Sequence, residues 1–410
     1  MDKVQQEVDK LYKDHFGRMV AALLYSSRDI NPETAEDIVH DSFSAALTDW
    51  RNNGIPFNTA GWIYKVCKHK ALNKIRKDKR TSGFSENEDL GSVEIKFSES
   101  ILDDHQLKLL FACAHPDLSP KIQVVITLKY AVGLKVEAIA KILGMTIDGV
   151  DKLLLRARQK IKDEKILLEE PPSSALQSRL PGVHKVLYLI FNEGYKSSWG
   201  KEILREELCE DALLMNKALL DSALGNKDTA ALYALMLFNS ARFKSRFGPS
   251  GEILDLENQD RALWNPELIL MANDFFHQSQ SETVSTYHIE ASIAWLHCTA
   301  ASFNSTNWAM ITQLYAQLLR DNPNPFIELN YAIALYYSGE KTKALGILSE
   351  LERQSFLNQY SLLNSTLGKF HHLEGNDAVA KEYLLKAFQQ TNFVEEKKFI
   401  QKMIDNLKHP

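Results

Sequence analysis

Three charged stretches hold the residues of this chain that could do chemistry. The first, residues 35–50, reads AEDIVHDSFSAALTDW and sets Glu36, Asp37 and Asp41 on or near one helical face. The second, residues 59–80, reads TAGWIYKVCKHKALNKIRKDKR. Helical spacing puts Lys65, His69 and Arg76 on one face, opposite Ile63, Val66, Cys67 and Ala71. The third, residues 136–162, reads VEAIAKILGMTIDGVDKLLLRARQKIK and has the spacing of a helix-turn-helix. Carboxylates in an apolar helix suit docking to a basic partner helix. Cations of one sign suit phosphate. A solvated surface would gain by mixing signs, because like charges at helical neighbours repel. A solvated face remains the plain alternative for the acidic stretch.

Charge distribution sharpens this reading. The 410 residues carry a net charge of −5, which speaks against a DNA binder until it is resolved along the chain. Residues 59–80 hold eight Lys/Arg against one acid, Asp78, whereas residues 81–104 hold seven Asp/Glu against one base, Lys96. Such asymmetry points to nucleic acid. Catalysis finds no support: there is no Gly-rich phosphate loop and no nucleophile-base pattern. Glu193, Asp260 and His288 stand isolated and read as structural. The four cysteines, Cys67, Cys113, Cys209 and Cys298, are scattered among apolar neighbours and read as buried small hydrophobes, with neither zinc nor disulfide indicated. No metal and no cofactor is expected. No apolar run reaches the roughly 18 residues of a membrane span, and the start lacks the apolar core of a signal peptide. The expectation is a cytoplasmic protein without membrane contact.

The elements that must position these residues are helices throughout, since strand signals are nearly absent. Asn31-Pro32-Glu33 and Ser119-Pro120 read as helix starts. Thr59 is placed to cap the basic helix and Thr146 the second helix of the helix-turn-helix, with Gly144 at its turn. Ile139, Ala140, Leu143, Val150, Leu154 and Ala157 fit its buried positions. Lys152, Arg156 and Lys160 project from one face toward a major groove, with Arg158 and Lys162 beside them. Trp62 reads as core, and the Asn52–Asn58 loop as a break. Glu169 to Ser174, with Pro171-Pro172, marks the clearest domain boundary, and later breaks fall near Gly194, Gly225, Gly248, Asn265, Asn322 and Gly375. A repeat lies near the end: LNYAIALYYSGEKTKALGIL (329–348) aligns with STLGKFHHLEGNDAVAKEYL (365–384). Ala332 falls on Gly368, Gly339 on Gly375, Ala344 on Ala380 and Leu348 on Leu384. That is the logic of tetratricopeptide-like helix pairs.

Together these motifs resemble a bacterial sigma-70 family RNA polymerase sigma factor of the extracytoplasmic-function type over residues 5–165. Residues 175–405 resemble the long helical extension of one subgroup, including FNEGY (191–195), ALYALMLFNSAR (231–242) and QDRALW (259–264). The resemblance implies an all-α chain: sigma region 2 over 1–80, an acidic linker over 81–104, a region 4 helix-turn-helix over 105–168, and a helical-repeat extension over 175–410. It implies that Glu36, Asp37 and Asp41 engage core polymerase, whose contacts would be the beta-prime clamp and the flap. Asn53, Lys65, Lys68, His69, Asn73 and Arg76 would hold the −10 element of promoter DNA. Thr146, Lys152, Arg156, Arg158 and Lys160 would read the −35 element. The linker would thread a channel built for RNA. The Asn52–Asn58 loop would capture a base flipped from the duplex. In that subgroup the extension is thought to replace a separate anti-sigma protein, and Glu193, Tyr195, Asp260, Arg261 and Trp264 suit an interface or a small-ligand pocket there, open to an unknown regulator. The chain departs from the family at His69 and Asn73, where Asn and Asp are commoner, and at Asp151 and Leu153, where basic residues are usual. Asp148 and Asp151 would repel phosphates and weaken the −35 contact. Two rival readings are a helix-turn-helix regulator acting without polymerase and a tetratricopeptide scaffold.

Overall fold

A computed structural model describes residues 3–26, 30–81, 107–143, 145–164, 166, 173–196, 204–353 and 360–407. The expected linker, Gly144 and the Pro171-Pro172 boundary lie outside the described residues, apart from Thr81, which ends the basic helix. Among the described residues there is no strand; one isolated bridge joins Phe247 and Ile253. The chain is all-α, with two small helical domains followed by a helical C-terminal domain. Its contacts divide it into two units, the first spanning Met1–Ile190 with Asp221–Leu224, the second the remainder.

The first unit opens with α1 (Lys3–Ser26), α2 (Pro32–Asn53) and α3 (Thr59–Thr81). Local chemistry sets their ends. Asn31 accepts from Thr34 N at 2.8 Å, Pro32 occupies the first turn, and Gly54 closes α2 at φ 86°. α3 is capped one residue earlier than the sequence suggested: Asn58 Oδ1 accepts from Gly61 N at 2.8 Å, while the Thr59 hydroxyl donates to Glu7. An amide oxygen at position 58 reaches the third helical N–H, which a residue inside the first turn cannot do. Phe16, Met19, Leu23, Val39, Phe43, Trp50 and Ile63 form the core of this bundle, and Trp62 packs edge-on against Trp50 at 5.5 Å.

A second group follows: α4 (107–113), α5 (Pro120–Ile126), a π turn over Thr127–Ala131, α6 (Val136–Ile142) and α7 (Ile147–Asp163). Ser119 and Thr146 cap α5 and α7 through Ile122 N and Gly149 N. Ile139, Ala140, Val150, Leu154 and Ala157 are buried between α6 and α7. The two groups touch through the π turn. At Gly17 of α1 an added Cβ would stand 1.9 Å from the Ala131 carbonyl oxygen, so the helix meets that backbone with no room for a side chain. The Tyr12 hydroxyl donates to Gly133 O at 3.4 Å beside it. α8 (Ser173–Tyr195) belongs to this unit through Ile190, and Arg179 donates to Phe111 O at 3.3 Å. α8 ends at Tyr195, one residue beyond Gly194, near which a break was expected.

The second unit holds α9 (Glu206–Asp221), α10 (Lys227–Ser240), α11 (Pro266–Gln278), α12 (Thr286–Thr299), α13 (Trp308–Asp321), α14 (Pro325–Tyr337), α15 (Lys341–Glu352), α16 (Ser361–Leu373), α17 (Asp377–Gln390) and α18 (Val394–Asn406). α10 is apolar all round, and Ala230–Phe238 are buried as a central helix should be. The sequence repeat appears as two helix pairs, α14 with α15 and α16 with α17. Gly339 and Gly375 turn the chain in each pair at positive φ. Ala332, Ala344, Leu348, Ala380 and Leu384 are buried at matching places, and a Cβ on Gly368 would lie 2.7 Å from the Leu384 side chain. No described helix is long and apolar enough to cross a membrane.

Candidate nucleic-acid interface

α3 presents the expected cationic face. Ile63, Cys67, Ala71 and Ile75 point into the bundle, which leaves Lys65, His69, Asn73 and Arg76 exposed and Lys68 half-buried. Among the described residues no carboxylate pairs with these five; Lys70 meets Asp41 at 3.8 Å. Beside the start of α3, the 52–58 loop is open to solvent. Phe57 is fully exposed and Ile55 is 42% exposed, a cost in solvated apolar surface that a stacked base would relieve. Asn53 is exposed, with its amide held by Asp49 at 2.8 Å.

α7 is furnished differently. Lys152 meets Asp148 at 2.6 Å, Lys160 meets Glu164 at 3.5 Å, and Arg158 meets Glu33 of α2 at 2.8 Å. Arg156 is exposed and has no carboxylate partner among the described residues. The Thr146 hydroxyl is engaged as the cap of α7, so its position in the proposed −35 set is held by backbone. Arg158 points back to α2, where Glu33 already pairs with it.

On α2, Asp37 and Asp41 are exposed, whereas Glu36 is buried. Glu36 pairs with Lys129 of the π turn and with His40 at 3.3 Å. Burial alone would raise the Glu36 pKa. The hydrogen bonds and charges of His40 and Lys129 outweigh it and hold the carboxyl below its usual range. Glu36 therefore leaves the docking set in this conformation: it ties α2 to the second group instead. Helical periodicity places Glu36 beside Asp37 and Asp41 but carries no record of Lys129, so the sequence could not separate them.

In the second unit Tyr195, Asp260, Arg261 and Trp264 serve packing. The Tyr195 hydroxyl accepts from Arg242 at 2.5 Å, and the Arg246 guanidinium lies 4.0 Å from its ring centre. Asp260 caps a short turn through Ala262 N at 2.9 Å. Arg261 stacks on Trp264 at 4.3 Å and donates to His297 O and Ala300 O, closing the C-terminal end of α12. Neither these four nor Glu193 line the cavity built from residues between Asp255 and Met403, none of which the sequence singled out. His288 is structural: it caps α12 with Ser285 and reaches Ser279 O at 2.8 Å. Cys67, Cys113 and Cys209 are buried and Cys298 is half-buried, all as free thiols; burial pushes Cys67 and Cys113 up to about 12.

Comparison with known proteins covers the segments that carry these residues. The model of sigma-70 region 2 matches residues 12–81, that of sigma-70 region 4 matches residues 108–161, and a family of unknown function, DUF6596, matches residues 179–280. An uncharacterized protein of Rhizobium meliloti is 28% identical over 92% of this chain and 90% of its own length. The RNA polymerase sigma factor YlaC of Bacillus subtilis is 25% identical, over 39% of this chain and 92% of its own. The RNA polymerase sigma factor SigV of the same organism is 28% identical, over 31% and 73%. No solved structure matches. α1–α3 thus coincide with region 2, and α4–α7 with region 4. The chain belongs to the sigma-70 family of RNA polymerase sigma factors, as a member of the extracytoplasmic-function type with a long helical C-terminal extension.

Proposed function

We propose that this sigma factor brings core polymerase to particular promoters and helps open them, and that its extension controls it in cis. One observation carries the reading: the first unit combines exposed acids at Asp37 and Asp41, a face of α3 whose Lys65, His69 and Arg76 have no carboxylate partner among the described residues, an exposed aromatic loop beside it, and a capped helix-turn-helix with Arg156 outward. Asp37 and Asp41 dock on the beta-prime clamp. Lys65, Lys68, His69, Asn73 and Arg76 hold −10 phosphates, and Phe57 stacks on an unpaired base. Arg156 and Lys152 contact the −35 element, and region 4 meets the flap. The protein performs no bond chemistry of its own in this role and needs no cofactor.

The conformation described here supports a closed resting form. Glu36–Lys129 and Glu33–Arg158 join region 2 to region 4, so one set of pairs withholds an acid from polymerase and a base from DNA. Polymerase binding separates them, and the charged partners of the open state replace the internal pairs.

Co-purification with core polymerase and run-off transcription test both parts. Asp37→Lys with Asp41→Lys is expected to abolish core binding while the helical signal stays intact, because both side chains are solvated. Retained core affinity in this variant refutes the docking assignment. A chain ending at Lys196, which keeps α8 with the first unit, is expected to differ sharply from the full chain in run-off activity. Equal activity at every promoter refutes control in cis.

A further inference from the structure

The extension contains a cavity of about 230 Å³ that no part of the reading above uses. It lies between α12–α14, α16, α18 and the loop at 255–257. Its volume is below the roughly 300 Å³ where drug-sized pockets begin, so it suits a small ligand.

Its furnishing is specific. His297, Trp308 and Tyr337 form a continuous aromatic wall, with ring centres 5.3 Å apart at the first step and 4.9 Å at the second. At the Tyr337 end, Lys369 reaches Asp255 at 2.7 Å and Glu257 at 2.6 Å, and its ammonium lies 5.9 Å from the Tyr337 ring centre. Burial works against that charge, but Asp255, Tyr337 and Glu257 outweigh it and push the Lys369 pKa up. The protein therefore already holds one cation there. Two carboxylates against one ammonium leave a single negative charge in excess. His297 adds none: burial, with Arg242 and Arg261 nearby, brings its pKa down to about 3, and its Nδ1 is buried without a partner. Asp255 Oδ1 is satisfied by Asn258 at 2.6 Å. Glu257 is 40% exposed, which puts the spare negative charge at the solvent edge of an aromatic wall. Aromatic faces attract cations, the more so when water is excluded.

We infer that this cavity binds a small organic cation, its flat apolar body against Trp308 and Tyr337 and its ammonium at Glu257 beside Lys369. The inference goes beyond the promoter reading and does not depend on it.

Calorimetric titration of the full chain tests it with three probes of one shape: 2-phenylethylamine, 2-phenylethanol and phenylacetate. The amine is expected to bind, the alcohol at least about tenfold more weakly, and the acid not at all. Glu257→Gln changes a partly exposed side chain and should weaken the amine about tenfold. Lys369→Met removes the internal competitor and should tighten the amine by about the same factor, with a larger amine-induced rise in Tm than in the unaltered chain. The inference fails if the acid or the alcohol binds as tightly as the amine. It fails equally if millimolar amine gives neither heat nor a Tm shift in the unaltered chain and in Lys369→Met. Amine affinity that ignores both substitutions would place the binding elsewhere and also overturn it.

Discussion

α3 and α7 are the two basic helices of the sigma core, and they hold their charge in opposite ways. On α3, Lys65, His69 and Arg76 face solvent together, with no carboxylate paired to them among the described residues. On α7, Lys152 and Lys160 are neutralised within the helix or just beyond its end, and Arg158 is neutralised by Glu33 of region 2. A single-sign face projects a field that phosphates feel at a distance. A self-paired face projects little until its pairs are exchanged. Surface pairs of this kind contribute about 0.2–1 kcal/mol, so phosphate can displace them readily. On the function proposed above, α3 would give a strong, sequence-independent grip on phosphate. α7 is equipped for contact after release, with Arg156 as its one outward guanidinium not already paired among the described residues. Asp148, in the first turn of α7 where a negative charge is favourable, also holds Lys152.

The largest effect should come from the pair that ties the π turn of region 4 to α2 of region 2. Glu36→Gln leaves Lys129, only 7% exposed, without its countercharge, and breaking a buried pair in this way costs about 3–5 kcal/mol. Chemical denaturation should show that loss, and promoter affinity per folded molecule should rise as region 4 is released. Unchanged stability would mean that the two regions are joined by apolar packing alone. Acid should act in the same direction. The folded Glu36 pKa is below its ordinary 4.5, so the contribution of the pair is full above that value and is lost as pH falls through the folded pKa. A stability profile that is flat over that window in the unaltered chain, or equally steep in Glu36→Gln, would contradict this.

Next in size is Arg156→Ala. Promoter affinity should fall by roughly 1–3 kcal/mol, concentrated on some −35 sequences, if the side chain makes a bidentate base contact. Uniform weakening with a salt slope lower by about one would assign it to phosphate instead. No change in either measure would remove α7 from the interface and leave the comparison with α3 empty.

The smallest effect separates the two helices most directly. Lys65→Ala with Arg76→Ala should lower the salt slope of DNA binding by about two, since each side chain neutralises one phosphate. Lys152→Ala with Lys160→Ala should lower it by less, because those charges are already balanced by Asp148 and Glu164. Equal changes in slope would show that the internal pairs are broken in the complex at no cost.

Much of this was legible in the residues. Asn31-Pro32, Ser119-Pro120 and Thr146 set helix starts by local hydrogen bonding, and each does so in the fold. The buried faces of α3 and α7 follow from spacing alone. The repeat at 329–348 and 365–384 marked two helix pairs because small residues and turn glycines must recur where helices cross closely. The cap at Asn58 was missed by one residue, since Asn and Thr in sequence are equally good candidates until the backbone fixes which oxygen reaches Gly61 N.

By itself, then, the sequence determined the helices, their inward faces, the order of region 2, region 4 and extension, and the sign of each surface. These depend on neighbours within a turn or two. Tertiary structure alone decided which charges are spent. Glu36, Asp37 and Asp41 are equivalent in composition, yet only Glu36 meets Lys129, which lies in the π turn that packs against α1 at Gly17. The cavity of the extension has the same origin. Asp255 and Glu257 lie in a loop with no periodicity to flag them, and they acquire a ligand-sized space only when α12, α13, α14 and α16 bring His297, Trp308, Tyr337 and Lys369 beside them. Pairings between distant segments depend on packing geometry, which local pattern does not encode.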